Sequence, residues 1–255
     1  MLDRTESMGE DWERYSTEHV QFYDESVSPL LTKYLTSFGW HVFLDVGCGD
    51  GSLLFALNGR GYFKNKTVLA VDISAKRIDV ARAICCDFRC YVDDACKLEN
   101  IGNNAVDVLA SLQVIEHVPD DDAMIRQIHR VLGENGVAYI TTVFKKPQAY
   151  YFHRNAKGES VIDPTHIREY QDEQLLRLLE KHGLEVLENK KVQEWKPILG
   201  FVILGRIGAT REALARHPLL KAIRRIKYPV PGYFHWEIVV RKKKESLGSA
   251  SNPAD

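Results

Sequence analysis

Three glycines at alternate positions, in Asp45-Val-Gly-Cys-Gly-Asp-Gly51, separate a short apolar run, His41 to Val46, from a stretch of helical character, Ser52 to Asn58. A run that short and apolar suits a buried strand. Glycines after it let the backbone turn sharply and let a ligand approach the chain closely. The helix that follows presents N–H groups that suit an anionic group. Strand, tight turn, helix is the opening unit of an α/β fold, although the same turn can form with no ligand in it.

The rest of the chain keeps that rhythm. Thr67 to Val71 reads as a second buried strand ending at Asp72, and Ser74 can cap a helix over 75–85. Cys90 to Val92 reads as a third strand before Asp93-Asp94-Ala95, and Val106 to Ser111 as a fourth after the Asn103-Asn104 turn. Asp120 or Asp121 caps a helix through Leu132, which Gly133-Glu-Asn-Gly136 closes. Val137 to Val143 is the fifth strand, 145–164 a mixed loop, Asp172 to His182 a helix, and Leu184 to Val192 the sixth strand. Phe234 to Arg241 alternates apolar and polar residues and reads as the last strand. Strands alternating with helices predict an α/β fold: a doubly wound Rossmann-like sheet of about seven strands, mostly parallel with an antiparallel last strand, its ligand at the strands' carboxyl ends. Upstream, 1–40 carries Trp12, Tyr15, Phe22 and Tyr23, then a helical pattern from Leu30 to Phe38 that stops at Gly39.

Electrostatics narrow the ligand. Counting from Gly47, the dinucleotide fingerprint G-x-G-x-x-G would need a third glycine where Ser52 stands, and no G-x4-G-K-[ST] phosphate loop is present. Asp45 at the end of the first strand would repel a pyrophosphate. A carboxylate there suits S-adenosylmethionine, which carries a sulfonium and an ammonium. Asp72, 21 residues after Gly51, stands where α/β folds bind ribose hydroxyls, and a carboxylate can accept two such bonds. The bland alternative for Asp72 is a helix-entry charge beside Ser74. Asp94-Ala95 can meet an adenine edge, with Asp93 leaving the assignment open by one residue.

In order, Leu44-Asp-Val-Gly-Cys-Gly-Asp-Gly-Ser-Leu-Leu54, Val71-Asp-Ile-Ser74, Asp94-Ala95, Asp107-Val-Leu-Ala-Ser-Leu-Gln-Val-Ile-Glu-His-Val118 and Gly136-Val-Ala-Tyr-Ile140 resemble the class I S-adenosylmethionine-dependent methyltransferases. Within them, Val-Ile-Glu-His-Val118 and His166-Ile-Arg-Glu-Tyr170 are similar to the ubiquinone-biosynthesis-type small-molecule enzymes. The resemblance covers residues 40–192. It implies that Asp45, Gly47, Cys48, Gly49 and Gly51 surround the methionine part of the cofactor. It places Asp72 on the ribose, Ile73 against the adenine, Asp94 and Ala95 at the adenine edge, and Leu112 and Gln113 near the sulfonium. Tyr15 or His19 would close over the cofactor from an N-terminal helix.

Methyl transfer from a sulfonium is an in-line displacement in which the protein mainly positions the acceptor. A hydroxyl or amine acceptor is helped by a base, and His117 and His166 are the candidates, both expected at the carboxyl edge of the sheet. Each also has a purely structural reading, as a loop-bonding or helix-entry histidine. Glu116, His117 and His166 partly resemble the metal set of small-RNA 2′-O-methyltransferases, but a further Glu of that set is Gln113 here, so no metal is expected. The aromatic cluster Tyr150, Tyr151, Phe152 and His153 lies in a 20-residue connection, long enough to serve as a lid or to be a packed loop.

The stretch 196–231 departs from the compact family pattern. Pro197 to Gly205 is apolar, and Lys196 to Tyr228 carries eight Lys or Arg against one acid, Glu212. The other residues then sum to a clear negative charge, because the whole chain of 255 residues has net charge −1. That balance excludes a globally basic nucleic-acid binder. The stretch can cap an apolar substrate site, contact an anionic membrane surface, bind phosphates of RNA, or simply pack with a solvated basic face. The reading favoured is a cap with membrane contact, on an enzyme that methylates a small or lipid-like acceptor at O, N or C. The alternatives are an RNA-directed methyltransferase and a non-catalytic adaptor on the same fold.

Four of the five cysteines, Cys85, Cys86, Cys90 and Cys96, cluster without a C-x2-C pair, so they read as reduced thiols of a cytoplasmic protein rather than a zinc site. The longest apolar run is short of the ~20 residues a spanning helix needs. The expected location is cytoplasmic, with possible contact at the inner face of a membrane. The expected division is a helical lid over 1–40, the cofactor-binding core over 41–195, the insertion over 196–231, the last strand over 232–244 and a disordered tail over 245–255.

Overall fold

The computed structural model describes residues 27–171, 173–197 and 226–243. The elements run α1 (Pro29–Ser37), β1 (Val42–Val46), α2 (Ser52–Gly59), β2 (Thr67–Asp72), α3 (Ala75–Arg82), β3 (Arg89–Val92), β4 (Val106–Leu112), α4 (Asp121–Val131), β5 (Leu132–Lys145), β6 (His153–Arg154), β7 (Ser160–Val161), α5 (Gln174–Lys181), β8 (Leu184–Pro197) and β9 (Lys227–Lys242). Seven strands form one sheet in the order β3-β2-β1-β4-β5-β9-β8. The pairs from β3 through β5 are parallel, and β9 runs antiparallel to both β5 and β8. The chain order reverses between β1 and β4, and that switch point is where α/β sheets bind ligands.

Both faces of the sheet are covered, which is why its central strands are apolar at nearly every position. Phe43 of β1 packs with Trp40, Phe63 and Phe88 on the face carrying α1, α2 and α3. Leu44 and Val46 point the other way, into the cluster with Ile125, Ile128, Leu175 and Leu179 from α4 and α5. The caps follow the sequence. The Ser74 side chain accepts from Arg77 N–H (3.3 Å) at the start of α3. Asp120, not Asp121, caps α4, accepting from Ala123 N–H at 2.8 Å.

Three expected boundaries are corrected. Gly133 to Gly136 does not close α4 as a separate turn; Leu132 already pairs with Val106, and the register then shifts before Val108 meets Val137. Gly136 is needed there because a Cβ would stand 2.7 Å from the Val106 carbonyl oxygen. The connection after β5 is not all loop, since β6 and β7 pair within it. Finally, β8 runs on to Pro197 and β9 begins at Lys227, so Trp195, Lys196 and Pro197 pair with Pro229, Tyr228 and Lys227. The ends of the expected helical insertion are therefore strand. Residues 198–225, the N-terminal stretch 1–26 with Tyr15 and His19, and the tail from 244 lie outside the described residues. All five cysteines are free thiols.

Candidate active site

The carboxyl ends of β1, β2 and β4 open onto a cavity of ≈ 320 Å³. The glycine turn forms one side of it. Gly47 and Cys48 donate their N–H groups to the Val71 carbonyl (2.8 and 3.0 Å), tying the turn to the end of β2. Asp72 completes the tie, accepting from Gly49 N–H on Oδ2 and from Ser74 N–H on Oδ1, each at 2.9 Å.

The three glycines of the turn serve different purposes. A Cβ on Gly47 would stand 2.4 Å from the Val114 side chain, and one on Gly51 2.4 Å from Ile84 and 3.3 Å from Ala81. Those two positions are small so that the β4 loop and α3 can pack. Gly51 itself does not line the cavity, although Gly49 and Ser52 on either side of it do. Gly49 does line it, and its nearest neighbour, Arg77 Nη1, is 3.8 Å from where a Cβ would be.

Asp45 is buried beside the cavity. Burial, and then the charge of Asp72, push its carboxyl up to about 8. Two carboxylates close together in a dry place disfavour each other's charge. A cation placed between them relieves both costs, whereas a diphosphate would add to them. Burial, then Asp45 and Asp72, also hold the Cys48 thiol well above its ordinary range, so it is not a nucleophile.

At the other end Asp93 and Asp94 both line the cavity but are held differently. The Asp93 carboxylate accepts from the N–H groups of Asp94 (2.8 Å), Glu99 (3.2 Å) and Asn100 (2.9 Å) and from the Asn100 amide (3.0 Å). It holds its own loop together. Asp94 Oδ1 accepts from Cys96 N–H (2.8 Å), and its carboxylate also bonds the Cys96 thiol. Asp94 and Ala95 line the cavity with Ile73, Leu112 and Gln113.

Past β4 the chain builds an acid–base cluster. Gln113 has φ 55, a left-handed backbone that turns the loop back over the sheet. Glu116 is fully buried and accepts from Thr142 Oγ1–H at 2.8 Å. With its amide turned to match its neighbours, Gln113 donates to Glu116 Oε1 (3.1 Å) and accepts from Thr142 N–H (3.2 Å). Burial pushes the Glu116 carboxyl up to about 7. His117 lines the cavity, with Nδ1 3.2 Å from the Thr165 carbonyl oxygen. That partner accepts only, so the proton sits on Nδ1 and Nε2 keeps its lone pair. Burial, then His166, lower the His117 pKa to about 4, so the ring is neutral at pH 7.

His166 is buried and does not line the cavity; its ring meets that of His117 edge-on, centroids 4.9 Å apart. Donor atoms of Glu116, His117 and His166 lie within 4.8 Å of one another, a spacing at which they could share a cation. Gln113, a neutral amide directed at Glu116, adds no charge to that set.

The sequence did not single out Ser52, Leu53, Arg77, Val114, Val118 or Pro119, which also line the cavity. Arg77 had a signal: it follows the Ser74 cap by three residues, the first-turn position that faces the strand ends. Val118 and Pro119 simply continue the Glu116-His117 loop.

A doubly wound sheet with a cavity at its switch point, lined by a glycine turn, buried aspartates and a histidine, has the frame of a cofactor-binding α/β protein. Residues 22–189 match the methyltransferase domain family, and the chain belongs to it. Among curated relatives, the ubiquinone biosynthesis O-methyltransferase of Pseudomonas paraeruginosa is 26% identical over 225 residues, covering 85% of this chain and 88% of that protein. Among solved structures, a SAM-dependent methyltransferase from Archaeoglobus fulgidus superposes with TM-score 0.53 at 19% identity, covering 84% of this chain and 91% of the other. The [4+2]-cyclase SpnF superposes with TM-score 0.61, also at 19% identity, covering 94% and 97%. These two likenesses concern the fold, and the cyclase among them is a reminder that chemistry must be argued from the site.

Proposed function

We propose that the protein is an S-adenosylmethionine-dependent O-methyltransferase whose acceptor is a small, lipid-like phenol. The observation that carries this is the placement of the buried Asp45–Asp72 pair on one side of a single cavity and the neutral His117 on the other. The cavity fits the cofactor by the chemistry of its donors. The carboxylate pair suits the cationic methionyl part, the Asp72 carboxylate at the end of β2 suits ribose hydroxyls, and Asp94 and Ala95 suit the adenine edge. When bound, the cofactor supplies an electrophilic methyl group and a neutral thioether leaving group.

The chain's own residues then orient the acceptor and take its proton. Nε2 of His117 would accept the proton that the acceptor's hydroxyl gives up on methylation. A histidine held near a pKa of about 4 is a weak base. It matches an acidic hydroxyl, such as a phenol with a pKa of about 10, better than an aliphatic alcohol. The relatives named for ubiquinone biosynthesis point to the same acceptor class.

Exposed aromatic residues support a lipid-like partner. Tyr150, Phe152 and Trp195 are 66%, 62% and 49% exposed. The loop carrying the first two is tied to the β8–β9 ribbon through Tyr151 and Tyr228, whose hydroxyls are 3.2 Å apart. Peripheral membrane contact through this face and the basic stretch 196–228 belongs to the same proposal. Among the described residues, no helix is long and apolar enough to cross a membrane.

The test is methyl transfer from isotope-labelled S-adenosylmethionine to a prenylated catechol, with an aliphatic alcohol of equal size and a short RNA as competitors. Labelled methyl ether from the catechol alone is the expected result. Transfer to RNA, or none to any acceptor by protein that binds the cofactor, overturns the acceptor assignment.

A further inference from the structure

We propose that Glu169 is a positioning residue for methyl transfer, holding His166, whose ring lies against Glu116 and His117, as the Nδ1–H tautomer with its lone pair on Nε2. The inference rests on the reading of His117 as the acceptor's base.

The Glu169 side chain is 1% exposed and that of His166 5%, and Glu169 Oε1 lies 2.9 Å from His166 Nδ1. A carboxylate accepts and does not donate, so this bond places the imidazole proton on Nδ1. The carboxylate is itself held. Oε1 also accepts from Ile162 N–H at 2.7 Å, and the Lys145 ammonium stands 3.7 Å from Oε2.

The segment carrying the pair is strapped onto the β4 loop. Ile167 N–H donates to the Glu116 carbonyl (3.0 Å), and Arg168 donates to the carbonyls of Ile115 (3.1 Å) and Pro119 (2.9 Å). A parallel bridge between Phe144 and Tyr170 closes the strap. The backbone that carries His166 is therefore tied to the loop that carries His117.

The tautomer matters because of what His166 faces. Once His117 takes the acceptor's proton, its positive ring lies edge-on to His166, 4.9 Å between centroids. Protonated on Nδ1 alone, His166 stays neutral and keeps a lone pair on Nε2. Protonated on both nitrogens it would carry a second positive charge there and oppose the first. Glu169 thus acts through His166, without reaching the cavity. A buried ion pair is a poor source of stability, so three buried titratable groups behind the reacting histidine are better explained by orientation than by packing. The sequence carries a faint sign of the pair, the His166-x-x-Glu169 spacing.

The test combines long-range ¹H–¹⁵N correlation spectra of the histidines with steady-state kinetics on the full chain. Wild-type His166 is expected to show its proton on Nδ1. Glu169→Ala is expected to lose that tautomer and to lower kcat roughly 10- to 100-fold, the usual cost of removing a histidine's orienting partner, with KM for the cofactor unchanged. Glu169→Gln, which keeps an acceptor oxygen for Nδ1, is expected to restore most of the rate. A wild-type proton on Nε2 overturns the proposal, as does an unchanged kcat in Glu169→Ala or a Glu169→Gln rate no better than that of Glu169→Ala. The wild-type spectrum needs neither variant nor turnover, so it decides the matter even where Glu169→Ala does not fold or the acceptor proves different.

Discussion

Replacing Asp45 by Asn should uncouple cofactor binding from proton release. In the ligand-free protein, burial and Asp72 push the Asp45 carboxyl from its ordinary 3.8 up to about 8. The sign follows directly. An acid whose folded pKa is raised binds its proton more tightly in the native state. Its contribution to stability is full below pH 3.8 and is lost as pH climbs toward 8. At about 1.4 kcal/mol per pH unit, the whole window amounts to roughly 6 kcal/mol.

At pH 7 the carboxyl is mostly protonated, and a cationic cofactor favours its ionised form. Binding should therefore release close to one proton, and affinity should rise by up to about tenfold per pH unit between pH 6 and 8. The cofactor's own amino group titrates near the top of that range, at about 8, which makes Asp45→Asn the necessary reference. Titration calorimetry at pH 7, in two buffers of different ionisation enthalpy, counts the protons. The expected result is about one more proton released by the wild type than by Asp45→Asn. Equal counts would refute the argument that the buried carboxyl meets a cation.

Three further outcomes follow from the same geometry. Gly51→Ala puts a Cβ into a backbone with φ 84 and 2.4 Å from Ile84; it should cost about 1–3 kcal/mol and lower Tm by roughly 2–4 °C per kcal/mol, seen by calorimetry. His117→Gln should lower kcat by about 10²–10⁴ while cofactor affinity, measured by titration, stays within about twofold. Asp93→Ala should lower Tm by unpairing the N–H groups its carboxylate holds, whereas Asp94→Ala should leave Tm nearly unchanged and weaken cofactor binding. The reverse pattern for the two aspartates would mean that their roles are exchanged.

The parts of the fold written in local chemistry were legible in the sequence. The glycine turn, the Ser74 and Asp120 caps and the apolar strands each follow from neighbouring residues, and their order alone implies the doubly wound sheet. What the sequence left open depends on contacts between distant segments. Gly51 reads as a ligand glycine, and only the fold shows that its missing Cβ makes room for Ile84, just past the end of α3. Asp93 and Asp94 are equivalent in a string of letters, and only the fold of 94–100 shows which one is occupied. The length of the β8–β9 ribbon follows from pairing across an intervening stretch of nearly thirty residues, which no local pattern announces. The His166–Glu169 pair became meaningful only once the strap laid it behind His117.

The most direct test of the account is a crystal structure grown with S-adenosylhomocysteine, the demethylated form of the cofactor. The ribose hydroxyls are predicted to lie within hydrogen-bond distance of the Asp72 carboxylate, the adenine beside Asp94 and Ala95, and the sulfur on the side facing His117. A ligand bound away from Asp45 and Asp72, or a diphosphate seated on the glycine turn in its place, would contradict it.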